Sequence, residues 1–219
     1  AEDKIIVVGH IKDDSRVEPQ VFGGPLDQGL IRLTADGELD TDQSTGFGDD
    51  VFDADMNPIA KTGMVSYDLL TYLSPDALPE YSTDEAWAGT LDDAGNIVVT
   101  GRYGAKGVSD FSVVRYTPDG MLDTTFGMAD PDDPGIRTGI VHTDIATGPD
   151  ACYDLAIQQS GDILVAGRAT SNDKFGFAMV RYTDDGDVGD KWFFSEHFVD
   201  GPDQASTLAI TGTNSVVLA

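Results

Sequence analysis

The sequence predicts an all-β chain: a β-propeller-type array of about three four-stranded antiparallel blades, forming an incomplete ring or a fragment of a larger propeller. Three observations carry this expectation. One strand-like segment occurs four times, its flanking segments recur in step with it, and the acidic residues are of the kind that sit in turns. Of the 39 acids, 33 are Asp and 6 are Glu; Asp favours turns and caps, Glu favours helices.

The recurring segment reads Lys4-Ile-Ile-Val-Val-Gly9, Asn96-Ile-Val-Val-Thr-Gly101, Asp162-Ile-Leu-Val-Ala-Gly167 and Ser215-Val-Val-Leu-Ala219. Behind three copies comes a second match: Gln28-Gly-Leu-Ile-Arg-Leu-Thr-Ala-Asp-Gly37, Phe111-Ser-Val-Val-Arg-Tyr-Thr-Pro-Asp-Gly120 and Phe177-Ala-Met-Val-Arg-Tyr-Thr-Asp-Asp-Gly186. A third, at 86–92, 152–158 and 206–211, stands in front of the last three copies. The unit is strand, turn, strand, loop, strand, turn, strand. Alternation places Phe111, Val113, Arg115 and Thr117 on one face and Ser112, Val114 and Tyr116 on the other. Both faces are largely apolar, as expected of a sheet covered on both sides. The small residues Gly29, Ser112 and Ala178 mark a close approach between sheets, and the Asp-Gly pairs 36–37, 119–120 and 185–186 close hairpins.

Spacing locates the irregularities. Gly to Arg is 14 residues in two copies and 23 in the first, and the period is 66 from Gly101 to Gly167 but 92 from Gly9 to Gly101. Of the 26 extra residues, nine precede Arg32 and 17 fall within 49–80, a segment expected to hold a short helix or an extra hairpin. The blades are therefore expected at 1–80 with the 49–80 insertion, 81–148, 149–200 and 201–219, with fourth strands near 41–44 and 187–190. Thirteen strands fall short of the sixteen of a four-bladed ring. A piece of a longer array is the favoured explanation; completion by another chain or an open stack are the others.

These segments, with Met121-Leu-Asp-Thr-Thr-Phe-Gly127 after the Asp-Gly turn, resemble the delta-60 repeat, most fully over 86–190 and more loosely over 1–48 and after Gly201. The resemblance implies propeller-like blades in secreted or surface-attached bacterial proteins.

The formal net charge of −26 excludes a nucleic-acid partner by any ordinary electrostatic route, since a phosphate backbone meets a repulsive field. No apolar run approaches the roughly 18 residues of a membrane span, and residues 1–9 show no signal-peptide pattern. Asp-rich charge is tolerated where ions screen self-repulsion, which points to an extracellular or cell-surface, marine or halophilic setting. Cys152 is the only cysteine and is expected to be a small buried hydrophobe.

Recurring charges supply the candidate sites. Arg32, Arg115 and Arg181 stand four residues before Asp36, Asp119 and Asp185, a spacing expected to lock each hairpin by an ion pair. Asp clusters at 36/40/42, 119/123, 130/132/133 and above all Asp184, Asp185, Asp187 and Asp190 are candidates for calcium, which takes six to eight oxygens. His10, His142 and His197 lie in different repeats without metal-ligand spacing, and no nucleophile motif or phosphate loop is present. Trp87, Trp192, Phe193, Phe194 and Tyr103 are candidates for sugar stacking, against core positions. The expected function is a non-catalytic binding or structural module, with a polysaccharide, a surface protein or a second copy joined through open β edges as partner. The rival is a propeller-type enzyme or redox-accessory domain acting on polysaccharide.

Overall fold

The computed structural model of the chain describes residues 3–12, 26–69, 73, 83–105, 108–130, 133, 135–172, 174–194, 203–211 and 215–219. Among these the architecture is the expected one. Two complete four-stranded antiparallel sheets run in simple meander order: β6 (Glu85–Leu91), β7 (Ile97–Ala105), β8 (Val108–Tyr116) and β9 (Ile140–Thr143), then β10 (Ala151–Ile157), β11 (Ile163–Ser171), β12 (Lys174–Tyr182) and β13 (Val188–Phe194). Before them lies a three-stranded sheet of β1 (Ile5–Lys12), β2 (Leu26–Leu33) and β5 (Met64–Tyr67); after them lies the pair β14 (Leu208–Ile210) and β15 (Val216–Leu218). No hydrogen-bonded pairing joins β14 or β15 to the first sheet, so no ring closes among the described residues. No helix among them is long and apolar enough to cross a membrane.

The strands β7 and β8 are apolar on both faces because each face meets a different neighbour. Val99, Val114, Tyr116 and Ile97 pack towards the first sheet with Leu30, Phe47, Val65 and Leu69. Val98, Phe111 and Val113 pack towards the third with Cys152, Ile163, Val165 and Leu155. A fully buried Val or Leu is worth about 1.5–3 kcal/mol, so the alternation in β7 and β8 ties three sheets together. Cys152 is fully buried, as expected, and its thiol donates to the Gly101 carbonyl at 2.7 Å. That burial pushes the thiol up to about 11.

The first sheet departs from expectation. Its fourth strand is not near 41–44, where the Asp42 Oδ1 accepts the Ser44 and Thr45 amides at 2.9 Å each and folds a turn. It is β5, after the insertion. The extra hairpin of the 49–80 segment is β3 (Asp50–Phe52) and β4 (Pro58–Lys61). Met64–Tyr67, expected within the inserted segment, is instead the counterpart of β9: Lys61-Thr-Gly-Met-Val65 matches Arg137-Thr-Gly-Ile-Val141. Both glycine carbonyls take the amide of the repeat arginine, Arg32 at 3.0 Å and Arg115 at 2.9 Å. Residues 70–72 and 74–80 of that segment lie outside the described residues.

Candidate functional site

The recurring charges meet at the junctions between blades. The turn glycines Gly37, Gly120 and Gly186 all have φ between 85° and 94°, and each reverses the chain so that the following segment returns alongside the third strand. This brings Asp40 and Asp123 back beside the arginines, with their amides on the Arg32 and Arg115 carbonyls at 2.9 Å. Arg32 Nε donates to Asp40 Oδ2 and Arg115 Nε to Asp123 Oδ2, both at 2.7 Å.

The expected partners are therefore corrected. Asp36, Asp119 and Asp185 sit at the exposed tips of the turns and pair with none of the three arginines; the partners are Asp40, Asp123 and, in the third blade, Asp190. Asp119 and Asp185 serve through their backbone: their carbonyls accept the Gly48 and Gly127 amides of the preceding blade at 2.9 Å.

The first two clasps reach into the next blade. Arg32 Nη1 donates to the Pro118 carbonyl, and Arg115 Nη1 to the carbonyl of Asp184, which holds the same repeat position, at 2.7 Å. The guanidiniums lie over Phe47 and Phe126, 5.1 and 4.7 Å from the ring centroids. Those rings in turn rest on the next blade's turn glycine, where a Cβ on Gly120 would come within 2.7 Å of Phe47 and one on Gly186 within 2.9 Å of Phe126. The glycines are thus required both for φ and for the missing side chain. Burial works to raise the Asp123 carboxyl, but the Thr125 hydroxyl and amide and the Arg115 guanidinium outweigh it and hold it below the usual range.

A second set recurs unnoticed in the sequence reading. Asp84, Asp150 and Asp203 are buried just ahead of the first strands of their blades. Asp150 Oδ2 accepts the Ile145 and Ala146 amides at 2.8 and 3.1 Å, and its Oδ1 the Thr170 amide at 3.0 Å. Burial raises its carboxyl to about 6 despite these bonds, with the Asp144 charge adding to the effect. The Asp84–Asp150 spacing of 66 is the repeat period itself, a signal that was available.

The proposed calcium ligands are not brought together. Asp184 Oδ1 accepts from Arg115 at 3.3 Å, Asp187 from Arg137 at 2.9 Å, and Asp190 from Arg181. The Arg137 hydrogen bond holds the Asp187 carboxyl below its ordinary range. Among the described residues no three metal-ligating side chains cluster; three different arginines meet the acids of this loop. Asp132 and His197 lie outside the described residues, and His10 is exposed. His142 Nδ1 lies 3.4 Å from Asp110 and its ring is 4.7 Å from that of Tyr103, which is buried.

The aromatic candidates divide. Trp192 and Phe193 are half-buried, and Phe193 packs against the core; Phe194 is exposed. Only Trp87 joins a larger set. It is the residue skipped by the register between Ala86 and Ala88, and Tyr153 is skipped in the same way between Cys152 and Asp154. These bulges on the first strands of successive blades stack the two rings at 4.8 Å. Arg102 lies 5.5 Å from the Trp87 ring, and Arg168 lies 6.0 Å from Tyr153 and 4.4 Å from Phe175.

A family model described as "Domain of unknown function (DUF5122) beta-propeller" matches residues 3–42, 95–126 and 158–188, which include the second and third strands of the first three blades and the Arg32–Asp40 and Arg115–Asp123 pairs. No curated protein matches the chain.

Proposed function

We propose that this β-propeller-type repeat chain is a non-catalytic binding and structural module of a secreted or cell-surface protein, built from repeats of the delta-60 kind. One observation carries the reading: the charges that recur with the repeat are engaged at blade junctions, Arg32–Asp40 reaching Pro118 and Arg115–Asp123 reaching Asp184. Their repetition serves stacking, so what varies between blades, including the rings and arginines along the first strands, is left for recognition. The delta-60 reading rests on Phe111–Gly127, where the third strand, the Pro-Asp-Gly turn and the Leu-Asp-Thr-Thr-Phe-Gly loop follow one another and each part has a place in the clasp. The Asp-rich net charge of −26 favours a salt-rich extracellular medium, and a polysaccharide or a surface protein is the partner.

The test is to apply the chain to immobilised polysaccharides and surface-protein extracts while assaying released reducing ends. Retention without release is expected. Release of reducing ends would replace this reading with that of an enzyme acting on polysaccharide.

A further inference from the structure

Arg102 and Arg168 hold the same repeat position, one residue after Gly101 and Gly167, yet their surroundings differ at two places. Arg102 is paired across the strand with Glu85 and donates to its Oε1 at 2.6 Å. Arg168 is paired in the same way with Ala151, whose methyl group offers no acceptor. The second change adds a ring: Phe175, opposite Thr170, replaces Ser109, opposite Gly104. Arg168 therefore keeps an aromatic bed and lacks the acid.

This is anomalous in a chain with 39 acids and 13 bases. Among the described arginines, Arg32, Arg102, Arg115, Arg137 and Arg181 each lie within 4.0 Å of a carboxylate. Among the described residues Arg168 has no ion-pair partner, and its Nε, like that of Arg102, is buried without a hydrogen-bond partner; what separates the two arginines is the missing carboxylate. A half-buried guanidinium held on rings is matched to a carboxylate, and the hydrogen bond from Arg102 Nη2 to Glu85 Oε1 shows such a pairing within the same molecule. The net charge disfavours a polyanion, so the fitting ligand carries an isolated carboxylate on a neutral body.

We propose that Arg168, on its bed of Tyr153 and Phe175, is a carboxylate-binding site for a uronic-acid residue of an otherwise neutral glycan. The sugar's carboxylate takes the place that Glu85 occupies in the preceding blade. This rests on the binding-module reading above and names the ligand class for it.

The test titrates the full chain with methyl glucuronide, methyl glucoside and acetate, followed by NMR shifts, including the Arg168 Nε–H resonance. Methyl glucuronide should bind with a Kd on the order of 1 mM. Methyl glucoside should bind roughly tenfold or more weakly, the ordinary value of a charged hydrogen bond. Arg168→Met should abolish binding. Ala151→Glu rebuilds the pair of the preceding blade and should also abolish it while leaving the melting midpoint unchanged or higher, which separates ligand loss from misfolding. Binding that survives both substitutions, or none at about 50 mM methyl glucuronide, overturns the proposal, as does acetate or a peptide carboxylate binding equally well. Retention on neutral polysaccharide without glucuronide binding would sink this site and leave the binding-module reading intact.

Discussion

The face of β7 turned towards the first sheet and the corresponding face of β1 are written in nearly the same letters and stand in opposite environments. Ile97 and Val99 are 2% and 0% exposed, whereas their repeat counterparts Ile5 and Val7 are 47% and 45% exposed. Arg115 and Arg181 divide in the same way, with side chains 7% and 41% exposed. The interior arginine meets Asp123, Phe126 and the next blade's Asp184 carbonyl; the outer one meets Asp190. The lesson is that this repeat encodes half-interfaces. A residue's energetic weight is set by whether a neighbouring blade supplies the other half.

Substitution at matched positions breaks or confirms that contrast. Arg115→Met leaves Asp123 buried without its counter-ion and should cost about 3–5 kcal/mol in urea unfolding, while Arg181→Met should stay within about 1 kcal/mol, as exposed pairs do. Equal costs at the two positions would remove the contrast. A smaller effect is expected at the close approaches. A Cβ at Gly101 would strike the Glu85 carbonyl and one at Gly167 the Ala151 carbonyl, whereas one at Gly9 meets nothing within 4 Å. Gly101→Ala and Gly167→Ala should lose about 1–3 kcal/mol and Gly9→Ala should be near neutral, read from thermal midpoints.

The smallest effect is in pH, where two junction acids act with opposite signs. Asp123 is held below its ordinary range, so its contribution is present above the unfolded value of about 4 and is lost as pH falls through the folded value. Asp150 is raised to about 6, so its neutral form is favoured in the fold. Its contribution is complete below about 4 and disappears as pH rises through 6. Midpoints of Asp123→Asn should therefore vary less with pH below 4 than those of the parent, and midpoints of Asp150→Asn less between 4 and 6. Parallel curves for parent and variants would contradict the assignments.

Much of the fold was legible because its signals are local. The Ile/Val/Leu runs at 5–8, 97–99 and 163–165 fall inside β1, β7 and β11, and the Asp-Gly turns sit where hairpins close. What escaped depends on chain segments that leave and return. Asp40 and Asp123 lie eight residues beyond their arginines, after a reversal, so the nearer Asp36 and Asp119 looked like the partners. The displaced fourth strand β5 was hidden by the β3–β4 hairpin before it, although Lys61–Val65 echoes Arg137–Val141. The Trp87–Tyr153 stack depends on paired bulges, and what marks it in the sequence is the 66-residue spacing of the two rings, the repeat period. The site at Arg168 was legible in principle, as Ala151 standing where the preceding blade has Glu85.

Phe47 on Gly120 and Phe126 on Gly186 give the stack a direction: each unit carries a plug, and its successor carries the socket. Neither half depends on how many units stand on the far side. Such an array can lengthen or shorten by whole blades through duplication or loss of a gene segment, with every new seam sealed by parts already in the repeat.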